Sequence, residues 1–301
     1  IANGDRGNGV NMRNSFVGIA GNFGTFLVGR HDTPLKISTG KLDLFADTMA
    51  DYNGTVGFND VRADNAIAYI SPNFSGFQLA AALVPGSGST VTGQTNLDSD
   101  SIAEGWGLAG IYKNGPFYAS LAYELFGKQL SGATTVPTGL YLGPWADTGN
   151  QVDDLAPVME YEAVVDADGN LTGEIRAAGV APVVSDKDFK KWRIGLGLLD
   201  WNGFSLTGIY EDQSNVPVAG VFTSDNDQKL WQVQAGYAFG NNMIKAMYGQ
   251  LDRDTKKNNF QSEVERLVRS LGDSDRSTWG IAFDHNFSKR TRAYAVYTDV
   301  D

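Results

Sequence analysis

Cysteine is absent from the 301 residues. That excludes a disulfide framework, a thiol nucleophile and any thiolate metal site. Histidine is almost absent: His31 and His285 are the two, and neither lies at a spacing that pairs it with an activating acid or serine. No Gly-Lys-Ser/Thr run offers a phosphate cradle. No apolar run approaches the roughly 18 residues of a transmembrane helix, and the mean hydropathy is only −0.24. Positive charge is also scarce. Lys and Arg number 24 against 35 Asp and Glu, a formal charge of −11, which argues against a nucleic-acid partner with its need for a basic face.

What the chain has in abundance is alternation. The stretches 192–198 (Trp-Arg-Ile-Gly-Leu-Gly-Leu), 231–239 (Trp-Gln-Val-Gln-Ala-Gly-Tyr-Ala-Phe) and 279–287 (Trp-Gly-Ile-Ala-Phe-Asp-His-Asn-Phe) put Trp, Ile, Val, Leu, Tyr and Phe on one face and Arg, Gln, Gly, Ala and Asp on the other. Period two sends those faces to opposite sides of a strand. An apolar face with aromatic ends beside a wet, small-residue face is the pattern of a transmembrane antiparallel β-barrel, lipid outside and water inside. The 36 glycines suit strands that kink and turn tightly. Trp192, Trp231, Trp279, Tyr237 and Phe283 are expected to point outward, and Arg193, Gln232, Gln234, Lys245 and Asp284 inward.

Twelve strands are expected, near 13–20, 24–31, 62–71, 77–85, 102–113, 116–126, 189–200, 203–213, 228–239, 243–253, 276–287 and 290–299. Tight turns at 21–24, 72–76, 114–115, 201–203, 240–242 and 288–289 alternate with long connections. In an outer-membrane barrel the short turns are periplasmic and the long loops outside. Two connections carry helical spacing. Leu42, Phe45 and Met49 fall at i, i+3, i+7 within 41–50, and Val264, Leu267, Val268 and Leu271 share a face within 261–271. The longest connection, 127–188, is expected to hold a hairpin of 161–165 with 171–176. The turn between them, Asp-Ala-Asp-Gly-Asn at 166–170, has its glycine at the wrong offset for a calcium loop and reads better as a hairpin turn. The first residues, 1–9, read as the inside of a polar loop, without a signal peptide, and 297–301 as a strand running out into a loop. A sheet edge cannot lie bare in hydrocarbon, so closing strands are expected outside this chain.

The run from Arg13 to Pro34 (RNSFVGIAGNFGTFLVGRHDTP) resembles the fourth and fifth strands of the Gram-negative general porins. The run from Val61 to Phe77 (VRADNAIAYISPNFSGF) is similar to the hairpin after their third loop, and 288–297 (SKRTRAYAVY) to their penultimate strand. The resemblance implies a sixteen-stranded barrel, usually a homotrimer, in the bacterial outer membrane among membrane lipid and lipopolysaccharide. The twelve strands are then the fourth to the fifteenth, within one barrel domain over 1–301. The third loop, 32–60 here, folds inward and narrows the pore. No enzyme activity, metal or cofactor is implied. The expected function is passive diffusion of small hydrophilic solutes and ions, with a solute-selective channel bearing a saturable sugar or anion track as the alternative.

The resemblance also implies a constriction of wall arginines facing loop carboxylates. Arg30 matches the wall arginine by position, and Arg62 either joins it or lies in the loop. Asp43, Asp47 and Asp51, at i, i+4, i+8, form a helical stripe that either faces Arg30 across the pore or is a solvated face. Parity alone adds Arg193, Lys245, Glu124 and Glu211 as lumen-lining charges in water, since Arg or Lys on the lipid face costs roughly 2–4 kcal/mol at the midplane. Aromatics at strand ends, Trp106, Phe117, Trp192, Phe204, Trp231, Phe239, Trp279 and Phe287, read as interfacial girdles rather than a sugar track.

Overall fold

The computed structural model describes residues 13–58, 60–86, 101–127, 188–216, 226–255 and 275–301, with short strands at 133–135, 161–165, 171–177 and 182–184. Twelve strands form one sheet: β1 (Ser15–Gly21), β2 (Gly24–Asp32), β3 (Arg62–Ile70), β4 (Phe77–Val84), β5 (Gly105–Asn114), β6 (Phe117–Phe126), β11 (Phe189–Trp201), β12 (Phe204–Ser214), β13 (Asn226–Phe239), β14 (Asn242–Thr255), β15 (Arg276–Ser288) and β16 (Thr291–Val300). Their spatial order follows the chain and the pairing is antiparallel throughout. The tight turns expected from Asn, Gly and Ser all lie at one end of this meander. Gly203 and Gly240 take positive φ there, which glycine adopts without a Cβ penalty.

The connection between β6 and β11 holds two small ribbons, β7 (Ala133–Thr135) with β10 (Pro182–Val184) and β8 (Tyr161–Val165) with β9 (Leu171–Ala177). The second is the expected hairpin. Its turn, 166–170, and the expected helix at 261–271 lie outside the described residues.

The faces divide as the parity requires. Along β6, Tyr118, Ser120, Ala122, Glu124 and Phe126 are buried and alternate with exposed or half-buried Phe117, Ala119, Leu121, Tyr123 and Leu125. Outward Trp192, Tyr237, Trp279 and Phe283 are 36–43% exposed, while inward Arg193, Gln232, Gln234, Lys245 and Asp284 are at most 4%. The outward aromatics form a belt at the loop end. Trp106 packs diagonally on Tyr123, Trp192 on Tyr210, Trp231 on Tyr248 and Trp279 on Tyr297, with ring centroids 5.2–5.6 Å apart. The sheet register links these pairs, because Tyr123 lies opposite Trp192, Tyr210 opposite Trp231 and Tyr248 opposite Trp279. Phe204, Tyr237, Phe239 and Phe287 mark the turn end. His285 sits with them, its Nδ1 donating to Asn242 Oδ1 at 2.7 Å and its ring edge-on to Phe287. Tryptophan and tyrosine belong at such depths because one end of the ring is apolar and the other can meet water.

The segment between β2 and β3 packs on the inner face. Leu35 meets Ala80, Ala109 and Ala122; Leu42, Tyr52 and Val56 meet Ile111, Tyr118, Ile209, Leu230 and Leu251; Phe45 meets Met247 and Ala282. One short segment reaches β4 at one side and β15 at the other only because the sheet curls round it.

The expected helix at 41–50 is absent. Helix forms before and after it, as α1 (Pro34–Thr39) and α2 (Tyr52–Thr55). Thr33 caps α1 by accepting from Lys36 N, with Pro34 in the first turn, where its missing N–H costs nothing. Between the helices the backbone makes a series of three-residue turns: Leu42 N to Thr39 O, Ala46 N to Asp43 O, Thr48 N to Phe45 O and Asp51 N to Thr48 O. Asp43 accepts from Phe45 N, and Asp47 takes a positive φ of 61°. Such local aspartate bonds compete with helix. Successive turns still bring i and i+3 to one side, so Leu42 and Phe45 are fully buried while Met49 is 79% exposed.

Leu121 lies mid-strand and outward, 59% exposed. Leu121→Lys is expected to destabilise the folded protein in lipid by about 2–4 kcal/mol, and Leu121→Phe by less than about 0.5 kcal/mol. Urea unfolding in vesicles measures both.

Candidate functional site

Strand register builds the inner site. Glu124 on β6 lies opposite Lys191 on β11, and Arg193, two residues on, lies opposite Glu211 on β12. Lys191 Nζ is 2.8 Å from Glu124 Oε1, and Arg193 Nε is 2.5 Å from Glu211 Oε2. Gln213 Nε2 donates to the other oxygen of Glu211. All of these side chains are essentially fully buried. A buried pair must recover in hydrogen bonds what it loses in hydration, and for Arg193 the inner segment supplies two. Arg193 Nη1 donates to Asp60 Oδ1 and to Thr39 Oγ1, each at 2.7 Å. Tyr52 donates its hydroxyl to Asp60. The rings of Phe58 and Tyr52 lie 5.1 and 5.9 Å from the guanidinium carbon, within cation–π range.

A second clasp holds the middle of the segment. Lys245 pairs with Asp284 at 2.9 Å and donates to Leu44 O at 2.9 Å, with its ammonium 5.0 Å from the Phe45 ring centroid. Gln234 binds twice: its Nε2 donates to Asp43 Oδ1 at 2.8 Å, and its Oε1 accepts from Leu44 N at 2.5 Å. Leu42 seats over Gly195 and Gly197, where an added Cβ would fall within 2.6 Å of its methyl groups. These glycines are small because the segment lies on them.

The sequence-derived residues separate into three groups. Arg193, Lys245, Glu124 and Glu211 occupy the inner face but are covered by the segment and engaged in these contacts, not standing in open water. Arg30 pairs with Asp64 on the adjacent strand, not with Asp43, Asp47 or Asp51. Arg62 pairs with Asp32 at 2.9 Å, which also holds Lys36 at 3.1 Å. The three loop aspartates do not form a stripe. Asp43 is buried under Gln234, Asp47 is exposed at its left-handed turn, and Asp51 caps α2. The helix that would have aligned them is replaced by turns. Sequence reasoning missed Lys191, Tyr52 and Asp60. Lys191 shares the parity of Arg193 and was legible. Asp60 lies in a connection without periodicity, and nothing local marks it.

The segment's two buried carboxyls titrate in opposite senses. Burial pushes Asp43 up to about 6, with nearby Asp51 adding to the rise against hydrogen bonds from Gln234 and the Phe45 and Tyr52 amides. Burial also acts to raise Asp60, but the Arg193 charge and the hydrogen bonds from Tyr52 and Arg193 outweigh it and hold Asp60 below the usual carboxylate range. Burial and the Asp60 charge raise the Tyr52 hydroxyl, which therefore stays a neutral donor.

The Gram-negative porin family model matches residues 2–301. The chain belongs to the Gram-negative porin family. That membership places it in the bacterial outer membrane. It is 32% identical over 152 residues to outer membrane porin protein 32 of Delftia acidovorans, an alignment spanning 46% of this chain and 42% of that relative. Among solved structures it is similar to the anion-selective porin from Comamonas acidovorans, with a TM-score of 0.56 and 20% identity over 96% of this chain and 67% of that one. OmpF of Salmonella typhi, solved with daunomycin, gives a TM-score of 0.57 and 16% identity over 95% of this chain and 70% of that one. The porin thus shares the antiparallel barrel fold of these proteins.

Arg193→Met leaves Asp60 and Glu211 buried without their cation, and is expected to cost about 3–5 kcal/mol in urea unfolding. Adding Asp60→Asn and Glu211→Gln should recover most of that loss. The pH response of the segment follows from Asp43. Its folded pKa lies above the ordinary 3.8, so its contribution is complete below about 4 and is lost as pH rises through about 6, on the order of 3 kcal/mol. Amide-exchange protection over 43–52, corrected for intrinsic rates, should fall between about pH 4.5 and 7, and Asp43→Asn should flatten that fall.

Proposed function

We propose that the porin is an outer-membrane channel for passive diffusion of small hydrophilic solutes and ions, working as a single barrel domain and as a homotrimer. The observation that carries this reading is the division of the sheet: an apolar outer face bounded by aromatics, and an inner face of charges and carboxamides onto which the segment 33–61 folds. An apolar exterior lets the sheet stand in lipid, and a polar interior lets water and solutes pass. Nothing in this chemistry calls for turnover or a cofactor. Residues 32–60 act as the constriction loop, held to the wall by Arg193, Lys245 and Gln234.

The solute meets the charges that the clasps do not consume. Arg30 with Asp64, and Arg62 with Asp32 and Lys36, form a mixed-charge patch where β2 and β3 meet the segment. Asp47 and Asp51 stand at the segment's accessible edge. Opposed charges at a narrow point set up a transverse field that sorts solutes by charge and dipole. The second reading, a solute-selective channel with a saturable track, is favoured by one feature. A recess of about 380 Å³ between the segment and the ends of β12 and β13 is lined by Asn53, Phe58, Asp60, Gln213 and Gln228, where the Gln228 carboxamide and the Phe58 ring offer a polyol a hydrogen-bonding group and an apolar face.

Single-channel recording on the full-length protein tests both. Conductance should rise linearly with salt and show no block by added sugar; saturation with block would favour the recess. Arg30→Ala should shift the reversal potential toward cations, because a fixed positive charge leaves while Asp64 stays. An unchanged reversal potential would remove Arg30 from the constriction.

A further inference from the structure

The outer face carries an apolar groove. Cross-strand register places Leu206, Ala235, Ala246, Ile281 and Tyr297 in one row. Phe204, Tyr237, Ile244, Phe283 and Ala295 form the next row toward the tight turns. Ala235 and Ala246 lie side by side and make a floor. The larger residues around them make walls, and the groove they enclose measures about 1110 Å³ and is almost wholly apolar. It lies in the half of the barrel nearest the turns, since Phe204 directly follows the Asn202-Gly203 turn and Ile244 stands two residues past Asn242.

The rim at that end is basic at one place. The β15–β16 turn is Ser288-Lys289-Arg290-Thr291, and Lys289 and Arg290 are exposed and make no ion pair among the described residues. Arg292, by contrast, turns inward to Asp284. No other tight turn of the sheet carries two cations. Ala295 on the groove lies four residues from Thr291, roughly 13 Å along the strand, the reach from a phosphate to the upper part of an acyl chain.

We propose that this groove and turn form a binding site for an anionic glycerophospholipid of the periplasmic leaflet, with the phosphate at Lys289 and Arg290 and an acyl chain over Ala235 and Ala246. Charge complementarity selects the headgroup: each cation near a membrane surface adds attraction for anionic lipid. The short turns of a porin face the periplasm, which makes the occupant a phospholipid. The inference rests on family membership and the outward face, not on the transport reading, so loss of channel activity would leave it standing.

Native mass spectrometry of the full-length protein, delipidated and then given dioleoyl phosphatidylglycerol or dioleoyl phosphatidylcholine, tests it. The phosphatidylglycerol adduct should survive collision energies that strip phosphatidylcholine. Lys289→Ser with Arg290→Ser, both in an exposed turn, should reduce that retention roughly tenfold or more, to the phosphatidylcholine level. Ala246→Phe, which fills the floor, should lower retention of both lipids; Ala235→Leu serves if it does not fold, as judged by heat-modifiable gel mobility. Equal retention of the two headgroups, or a preference that survives the double substitution, would overturn the proposal. So would efficient cross-linking between copies through Ala295→Cys, which would show that a second copy covers the groove.

Discussion

Hydrocarbon offers no partner to a backbone amide, and that single constraint organises this molecule. Each strand must pass its N–H and C=O groups to a neighbour, and the cheapest neighbour is the next strand in the chain. The meander, the short turns and the antiparallel ladders follow from it. Period-two alternation then follows from the ladder, because a strand whose backbone is fully paired has only its side chains left with which to meet lipid on one side and water on the other.

The inner face pays a different cost. Charged side chains on a concave wall would be well hydrated if nothing covered them, yet Lys191, Arg193, Glu124 and Glu211 are covered. Covering them is tolerable because each arrives with a partner already fixed by register, and because the segment brings Asp60 and Thr39 to Arg193 Nη1. The segment is held by charge at its end and its middle, and by Leu42 on the two glycines between. Its stiffness comes from the wall, not from its own secondary structure, which is two short helices and a chain of turns.

Most of the sheet was legible in the sequence, and the reason is physical. Lipid and water impose opposite demands on adjacent residues, so Trp231 and Gln232 declare their faces without any knowledge of the fold. The same rule placed Arg193 and Lys245. It failed where residues answer to each other rather than to a solvent. Leu42 and Phe45 look helical because three-residue turns and helices share the i, i+3 relation, and Asp43 and Asp47 show their turn-forming role only in place. The pairing of Arg30 with Asp64 depends on an irregularity in the β2–β3 register between Gly29 and His31. The grip of Asp60 on Arg193 joins residues 133 apart in sequence, beyond any local pattern.

Alternation has a blind spot that the tryptophan–tyrosine belt repairs. Sliding a strand by one residue turns every side chain to the wrong face and is strongly disfavoured. Sliding it by two leaves every face correct, so the apolar pattern by itself tolerates that error. Such a slip moves a strand's aromatic roughly 7 Å along the barrel, out of the interface and away from the ring it should meet. Trp192, Trp231 and Trp279 each touch a Tyr on the following strand and face another across the preceding one, so a two-residue error at any of their strands breaks the chain of rings at two places. The belt that sets the depth of the barrel in the membrane therefore also counts residues between its strands.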